Sequence, residues 1–161
     1  MAAKKNINLG EFLNQQYLCE GLTMREVQTL LEFTEQVDIK KGGIIADIGE
    51  VGEALYFVIH GEAALVYASG MEMVEIGHAK AGELIGSMSF FDREPRSVRI
   101  IAKKDTKLLR LNRTMYLRMR VEHPFIAVNL LEDAIVSLNN LFKRVSQDVA
   151  TFAHYIYGAK R

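Results

Sequence analysis

Between Val37 and Asn112 the apolar residues recur with a period of two and glycines interrupt them every few positions. That pattern restricts the segment to short strands joined by tight turns. Val37–Lys40, Ile44–Ile48, Leu55–His60, Ala63–Tyr67, Met71–Ile76, Val98–Ala102 and Leu108–Leu111 read as strands. Their links, Lys41-Gly42-Gly43, Gly49-Glu50, His60-Gly61-Glu62 and Ser69-Gly70, are turn-forming. Many short strands at close spacing imply a mainly β protein, an antiparallel barrel or a jelly-roll β-roll of the double-stranded β-helix type. A chain of 161 residues is one domain's worth, and with 49% hydrophobic residues, 25% charged and two prolines it is an ordinary globular sequence.

Helical patterns flank the strands. Phe12, Leu13, Tyr17 and Leu18 suggest a short helix over Gly10–Glu20. Thr23 with Glu26 three residues on forms a capping box, which predicts a second helix over Met24–Glu35. After a short amphipathic helix at Arg113–Glu122, His123-Pro124 marks a break. A periodic run follows: Val128, Leu131, Ile135, Leu138, Phe142, Val145, Val149, Phe152 and Ile156, spaced alternately by three and four. This is a heptad seam, with Asp133, Asn140, Lys143, Arg144, Gln147 and Asp148 expected on the opposite face. A helix from Pro124 to Tyr157 extends about 50 Å. Packing on its own β-roll accounts for the first half, where Ile126, Leu130 and Leu141 broaden the stripe. The second half calls for another copy of the chain, so a parallel homodimer through the C-terminal helix is expected. The organisation expected is a single domain: a helical lead-in at 1–36, a β-roll at 37–112, and a helix pair at 113–161.

Several function classes are excluded at this level. Twenty basic residues balance twenty acidic ones, which gives no nucleic-acid or membrane surface. Lys103, Lys104, Lys107, Arg110 and Arg113 form a local basic run that reads as the solvated side of a hairpin. Cys19 is the single cysteine, so no intramolecular disulfide forms and a reducing compartment is the default. The amino terminus lacks a signal peptide's apolar core and no run approaches a membrane span, so a cytoplasmic protein is expected. His60, His78, His123 and His154 are scattered, which argues against a metal site. No nucleophile elbow occurs, and nothing marks the chain as an enzyme or requires a cofactor.

The stretch GELIGSMSFFDREPRSVRIIA, Gly82 to Ala102, carries the chemistry. Gly86 lets backbone approach a ligand closely, the N–H groups after it can face an anion, and Arg96 adds bidentate donors. Ser87 supplies a hydroxyl. These are the parts of a phosphate pocket. The stretch resembles the phosphate-binding cassette of cyclic nucleotide-binding domains, whose usual form is Phe-Gly-Glu-Leu-Ala-Leu, a spacer, then Pro-Arg-Ser or Thr-Ala. Here Ile85-Gly86-Ser87-Met88-Ser89-Phe90 and Arg96-Ser97-Val98 align with it without a gap. Gly49-Glu50-Val51-Gly52 ahead of Leu55-Tyr56-Phe57-Val58 and Gly61 resembles the same family's first signature, with Ala46 where a branched residue is usual.

The resemblance implies that Arg96 grips the cyclic phosphate and that Gly86 with the amides of Ser87 and Met88 forms the cradle. Ser87 and Ser97 are then polar contacts. It also implies a Glu at position 87 to hold a ribose hydroxyl, where this chain has Ser87, and a small Ala at 98, where it has Val98. Similarity to the catabolite-activator branch makes Leu141 the apolar lid over a purine, beside Phe142. The expected function is a stand-alone regulatory module that binds a small-molecule effector, cyclic AMP or cyclic GMP, and signals through its dimer helix. The alternatives are a non-binding dimeric adaptor with Arg96 tied to a carboxylate such as Glu83 or Glu94, or a regulator acting with a separate DNA-binding partner. No helix-turn-helix segment follows Gly158-Ala159-Lys160-Arg161, so DNA binding by this chain alone is not expected. The downstream protein partner is not legible.

Overall fold

The structure, a computed structural model, describes residues 20–158, with the side chains of Ser69 and of 151–158 outside the description. All but the last residue of the expected helix over Gly10–Glu20, together with Cys19 and the seam side chains of Phe152 and Ile156, lie outside the described residues. Helix α1 (Met24–Glu32) starts at the capping box: Thr23 Oγ1 accepts from the Glu26 amide at 3.3 Å, and the Thr23 amide donates to Glu26 Oε2 at 2.7 Å. It stops short of the expected Glu35 because that residue already opens the first strand.

The strands are β1 (Glu35–Ile39), β2 (Ile44–Ala46), β3 (Ala54–His60), β4 (Glu62–Ser69), β5 (Glu72–Lys80), β6 (Leu84–Ile85), β7 (Arg99–Ala102) and β8 (Thr106–Asn112). A short helix α2 (Ser87–Asp92) lies between β6 and β7, and α3 (Arg113–Glu122) and α4 (Pro124–Gly158) close the chain. Every strand pairing is antiparallel, in two sheets ordered β1-β8-β3-β6 and β2-β7-β4-β5. The jelly-roll expectation is met.

The first sheet is covered on both faces, which explains why β3 and β8 are nearly continuous apolar runs instead of alternating ones. Leu55, Phe57 and Ile59 of β3, with Leu109 and Leu111 of β8, join Val27, Leu30, Tyr116, Met119, Ile126 and Leu130 of the helices in one core cluster. Val58 and Leu108 point the other way, into a second cluster with Ala63, Ala79, Ile85 and Ile100 between the sheets. Ala46 belongs to that inner cluster, so the small residue in the first signature is a core residue.

Two expectations are corrected. Arg113 is more than a solvated base: its guanidinium stacks 4.2 Å above the Phe90 ring and donates to the Phe90 carbonyl, tying α2 to α3. Within α4, Pro124–Ala150 is long and apolar enough to cross a membrane by length and composition alone, although no such run was expected. Ile126, Ala127, Leu130 and Ala134 of that segment are buried against the roll. Thr23→Ala removes the side-chain half of the capping box and is expected to lower stability by about 1 kcal/mol, measured as a shift of the urea unfolding midpoint at unchanged slope.

Candidate functional site

The cassette is built on a backbone conformation that only glycine adopts without strain. Gly86 sits at φ +85°, turning the chain from β6 into α2. Ser87 follows as a buried first helical residue. The far end of α2 is fixed by Ser89, whose hydroxyl donates to the Glu94 carbonyl at 2.6 Å and accepts from the Gly52 amide at 2.7 Å. Arg93, in the left-handed region at φ +66°, is held by donation to the Gly52 carbonyl at 3.0 Å and to Glu53 at 2.6 Å.

Arg96 is fixed at its backbone and free at its tip. Its amide donates to the Glu50 carbonyl and its carbonyl accepts from the Gly49 amide, both at 2.8 Å. The guanidinium is half-buried and reaches the Gly86 carbonyl only at 3.5 Å, the outer limit of a hydrogen bond. Burial pushes its pKa down, opposed by the charges of Tyr56, Glu50 and Asp92. Arg96 pairs with no carboxylate among the described residues, and Glu83, one of the partners considered for it, is engaged by Arg144 instead. Gly52 leaves the room the tip occupies: a Cβ there would stand 2.8 Å from Arg96 Nη2 and 2.6 Å from the Phe90 amide nitrogen.

Beside this guanidinium lies a cavity of about 120 Å³ whose lining includes Gly86, Ser87, Met88, Arg96, Ser97 and Leu141. All the expected site residues therefore border one space. Met88 and Ser97 are exposed at its rim, and Leu65, Ile85 and Ile100 form an apolar wall. Leu138 and Leu141 cover it from α4, whereas Phe142, expected beside Leu141, turns outward with 70% of its surface exposed. A second space of about 450 Å³, lined by Glu50, Glu53, Tyr56 and Arg110, opens on the other side of Arg96.

The sequence pattern missed what holds α4 over the cavity. Arg144 was placed on the polar outer face, but it points inward and makes a forked contact with Glu83, at 2.6 Å and 2.9 Å, while also donating to the His78 carbonyl at 2.9 Å. That hydrogen-bonded pairing raises the Arg144 pKa further. One and two turns earlier, Leu141 fills the hollow left by Gly77, and the Ser137 hydroxyl accepts from the Leu84 amide at 3.1 Å. The available signal was the spacing of Ser137, Leu141 and Arg144, a second stripe rotated from the heptad seam.

The family model for the cyclic nucleotide-binding domain matches residues 36–123. The chain belongs to the cyclic nucleotide-binding domain family. Among relatives of this domain, the Cyclic AMP receptor protein of Thermus thermophilus is 35% identical over 115 residues, 70% of this chain and 53% of that protein. Lysophospholipase NTE1 of Pyricularia oryzae is 28% identical over 119 residues, 73% of this chain but 8% of that protein. The chain thus spans about half the length of the first relative and a small part of the second. In structure, the Thermus thermophilus Catabolite Activator Protein superposes with a TM-score of 0.67 at 30% identity, covering 86% of this chain and 64% of that one. A cyclic nucleotide-binding domain from Methylobacillus flagellatus shares the fold with a TM-score of 0.78 at 20% identity, covering 89% of this chain and 83% of that one.

The Glu83–Arg144 contact gives a direct test of the lid. Arg144→Met strands a buried carboxylate and is expected to cost about 2–3 kcal/mol. The double variant Glu83→Met with Arg144→Met should recover part of that loss in urea unfolding, because neither charge is then left alone.

Proposed function

We propose that this domain is a non-enzymatic regulatory module whose cavity takes a cyclic nucleotide, cyclic AMP or cyclic GMP, or a related phosphate-bearing effector. The observation that carries the reading is Arg96: a half-buried guanidinium that pairs with no carboxylate among the described residues, at the wall of a cavity shared with Gly86 and Ser87. A desolvated cation without a counter-ion is stabilised by any anion that can reach it. Arg96 is the phosphate anchor, Gly86 and the amides of Ser87 and Met88 the cradle, Ser87 and Ser97 polar contacts, and Leu141 the apolar cover for the base. A relative named for cyclic AMP reception supports the ligand class.

The output runs through α4 in a homodimer. Val128, Ile135, Phe142 and Val149 leave half or more of their surface exposed on one side of the helix, opposite the stripe that faces the roll. A second copy of the helix covers such a stripe by the knobs-into-holes packing of its heptad spacing. Leu138 and Val145, also on the seam, lie toward the cavity and Gly77, so they contribute less to that contact.

Ser87 favours one competing reading. Without an acid there, a ribose hydroxyl loses a charge-assisted acceptor, and a dimeric adaptor with an unused pocket follows if the remaining contacts are too weak. Calorimetry separates the two. Heat with cyclic AMP or cyclic GMP is expected, with affinity falling about 100-fold in Arg96→Ala; no heat with either nucleotide leaves the adaptor. In sedimentation the parent should be a dimer and Ile135→Asp with Phe142→Asp a monomer. A dimer that persists in this variant removes the helix from the interface.

A further inference from the structure

The inner face of α4 carries a carboxyl group that finds no hydrogen-bond partner for one of its oxygens among the described residues. Ile126, Leu130 and Ala134 are 3%, 2% and 3% exposed against the roll, and Ser137 and Arg144 continue the stripe to the bonds that hold the helix down. Asp133 belongs to this stripe, one residue before Ala134 and one turn before Ser137. Its Oδ2 is buried and has no hydrogen-bond partner among the described residues.

Among the described residues, the charges acting on Asp133 are both negative: Glu132 on α4 itself and Glu20 on the turn ahead of α1. That turn rests on the helix one turn earlier, where Gly21 meets the Asn129 side chain. Among the described residues α3, β5 and β6 make the most extensive contacts with α4, and no charged or titratable group of theirs is among those acting on Asp133. Glu83, just ahead of β6, is already closed by Arg144. A carboxylate with one oxygen taken out of water among like charges, and no donor for that oxygen, is disfavoured as an anion and tolerated as the neutral acid.

We propose that the seating of α4 on the roll is proton-linked: Asp133 takes a proton from solvent as the helix docks and returns it when the helix lifts. The same burial, with Glu132 and Glu20 adding to it, raises its pKa from 3.8 to about 7. When α4 lifts, the carboxyl regains water and titrates like an ordinary aspartate, near 3.9. Below about pH 4 both states hold the proton and docking is indifferent to pH. Between about 4 and 7 only the docked state holds it, so docking weakens by up to tenfold per pH unit; above about 7 the dependence ends. Because Leu138 and Leu141 on this helix cover the cavity, the lid loosens as pH rises. The inference rests on how α4 docks and is independent of what the cavity binds.

The experiment uses the full chain. Carboxyl-carbon NMR of the parent protein should show Asp133 titrating with a midpoint near 7. Amide exchange along 130–144, corrected for intrinsic rates, should then show protection in the parent falling relative to Asp133→Asn by about tenfold per pH unit between pH 5 and 7. Glu20→Gln should move the midpoint down while keeping the transition. An Asp133 midpoint near 4, or parallel protection in parent and Asp133→Asn across that range, overturns the proposal. The titration needs no variant, so it stands even if Asp133→Asn folds poorly.

Discussion

The bonds that fasten α4 to β6 set the geometry of everything around the cavity. The segment Glu83–Gly86 has three duties within four residues. Glu83 and Leu84 hold the helix through Arg144 and Ser137, Leu84 and Ile85 pair with Phe57 and Tyr56 of β3, and Gly86 opens the cassette. A displacement at Gly86 therefore acts at once on the contacts of α4, since the two are consecutive along the backbone. Any ligand moves this helix only by the difference in its affinity for the docked and lifted arrangements. The polar bonds matter more than the apolar ones here, because beyond Ala134 the inner stripe of α4 has few fully buried apolar side chains.

Arg96 depends on absences. Its tip occupies space that any side chain at position 52 would take, and it approaches a Gly86 carbonyl presented by a left-handed turn. Meanwhile its backbone is clamped to Gly49 and Glu50, so the guanidinium is positioned by neighbours that do not neutralise it. This is the arrangement a preorganised anion site needs: the desolvation cost is met in folding, and the partner is supplied from outside.

Much of this was legible in the sequence because the determinants are local. Thr23 and Glu26 fix where α1 begins, the glycine punctuation fixes the strands, and Gly86 with Arg96 reads as a phosphate pocket by residue type, its stretch resembling the family's cassette. What escaped was set by tertiary context. β6 is two residues long, too short for a period to register, and exists because β3 offers it an edge. Arg144 and Asp133 look like outer-face residues when α4 is phased on its heptads. A helix that serves two apolar partners carries two stripes, and the one facing the roll is interrupted by polar residues. Gly77 likewise shows its purpose only once Leu141 lies in the hollow it leaves.

The charges around the cavity also bear on which anion it suits. Glu83 and Arg144 cancel each other, and Arg96 is left at the wall as a positive charge in no ion pair with a described carboxylate. Asp92 and Glu94 stand exposed at the rim. One negative charge against Arg96 leaves the interior neutral, whereas a terminal phosphate, carrying about −1.5 to −2 at neutral pH, brings an excess that must be solvated beside two carboxylates. A phosphodiester avoids that excess. With Ser87 offering a neutral hydroxyl and Leu138, Leu141 and Ile100 offering only apolar contact, the rest of such a ligand would be held mainly by burial, and the proposed phosphate contact would supply most of the polar recognition.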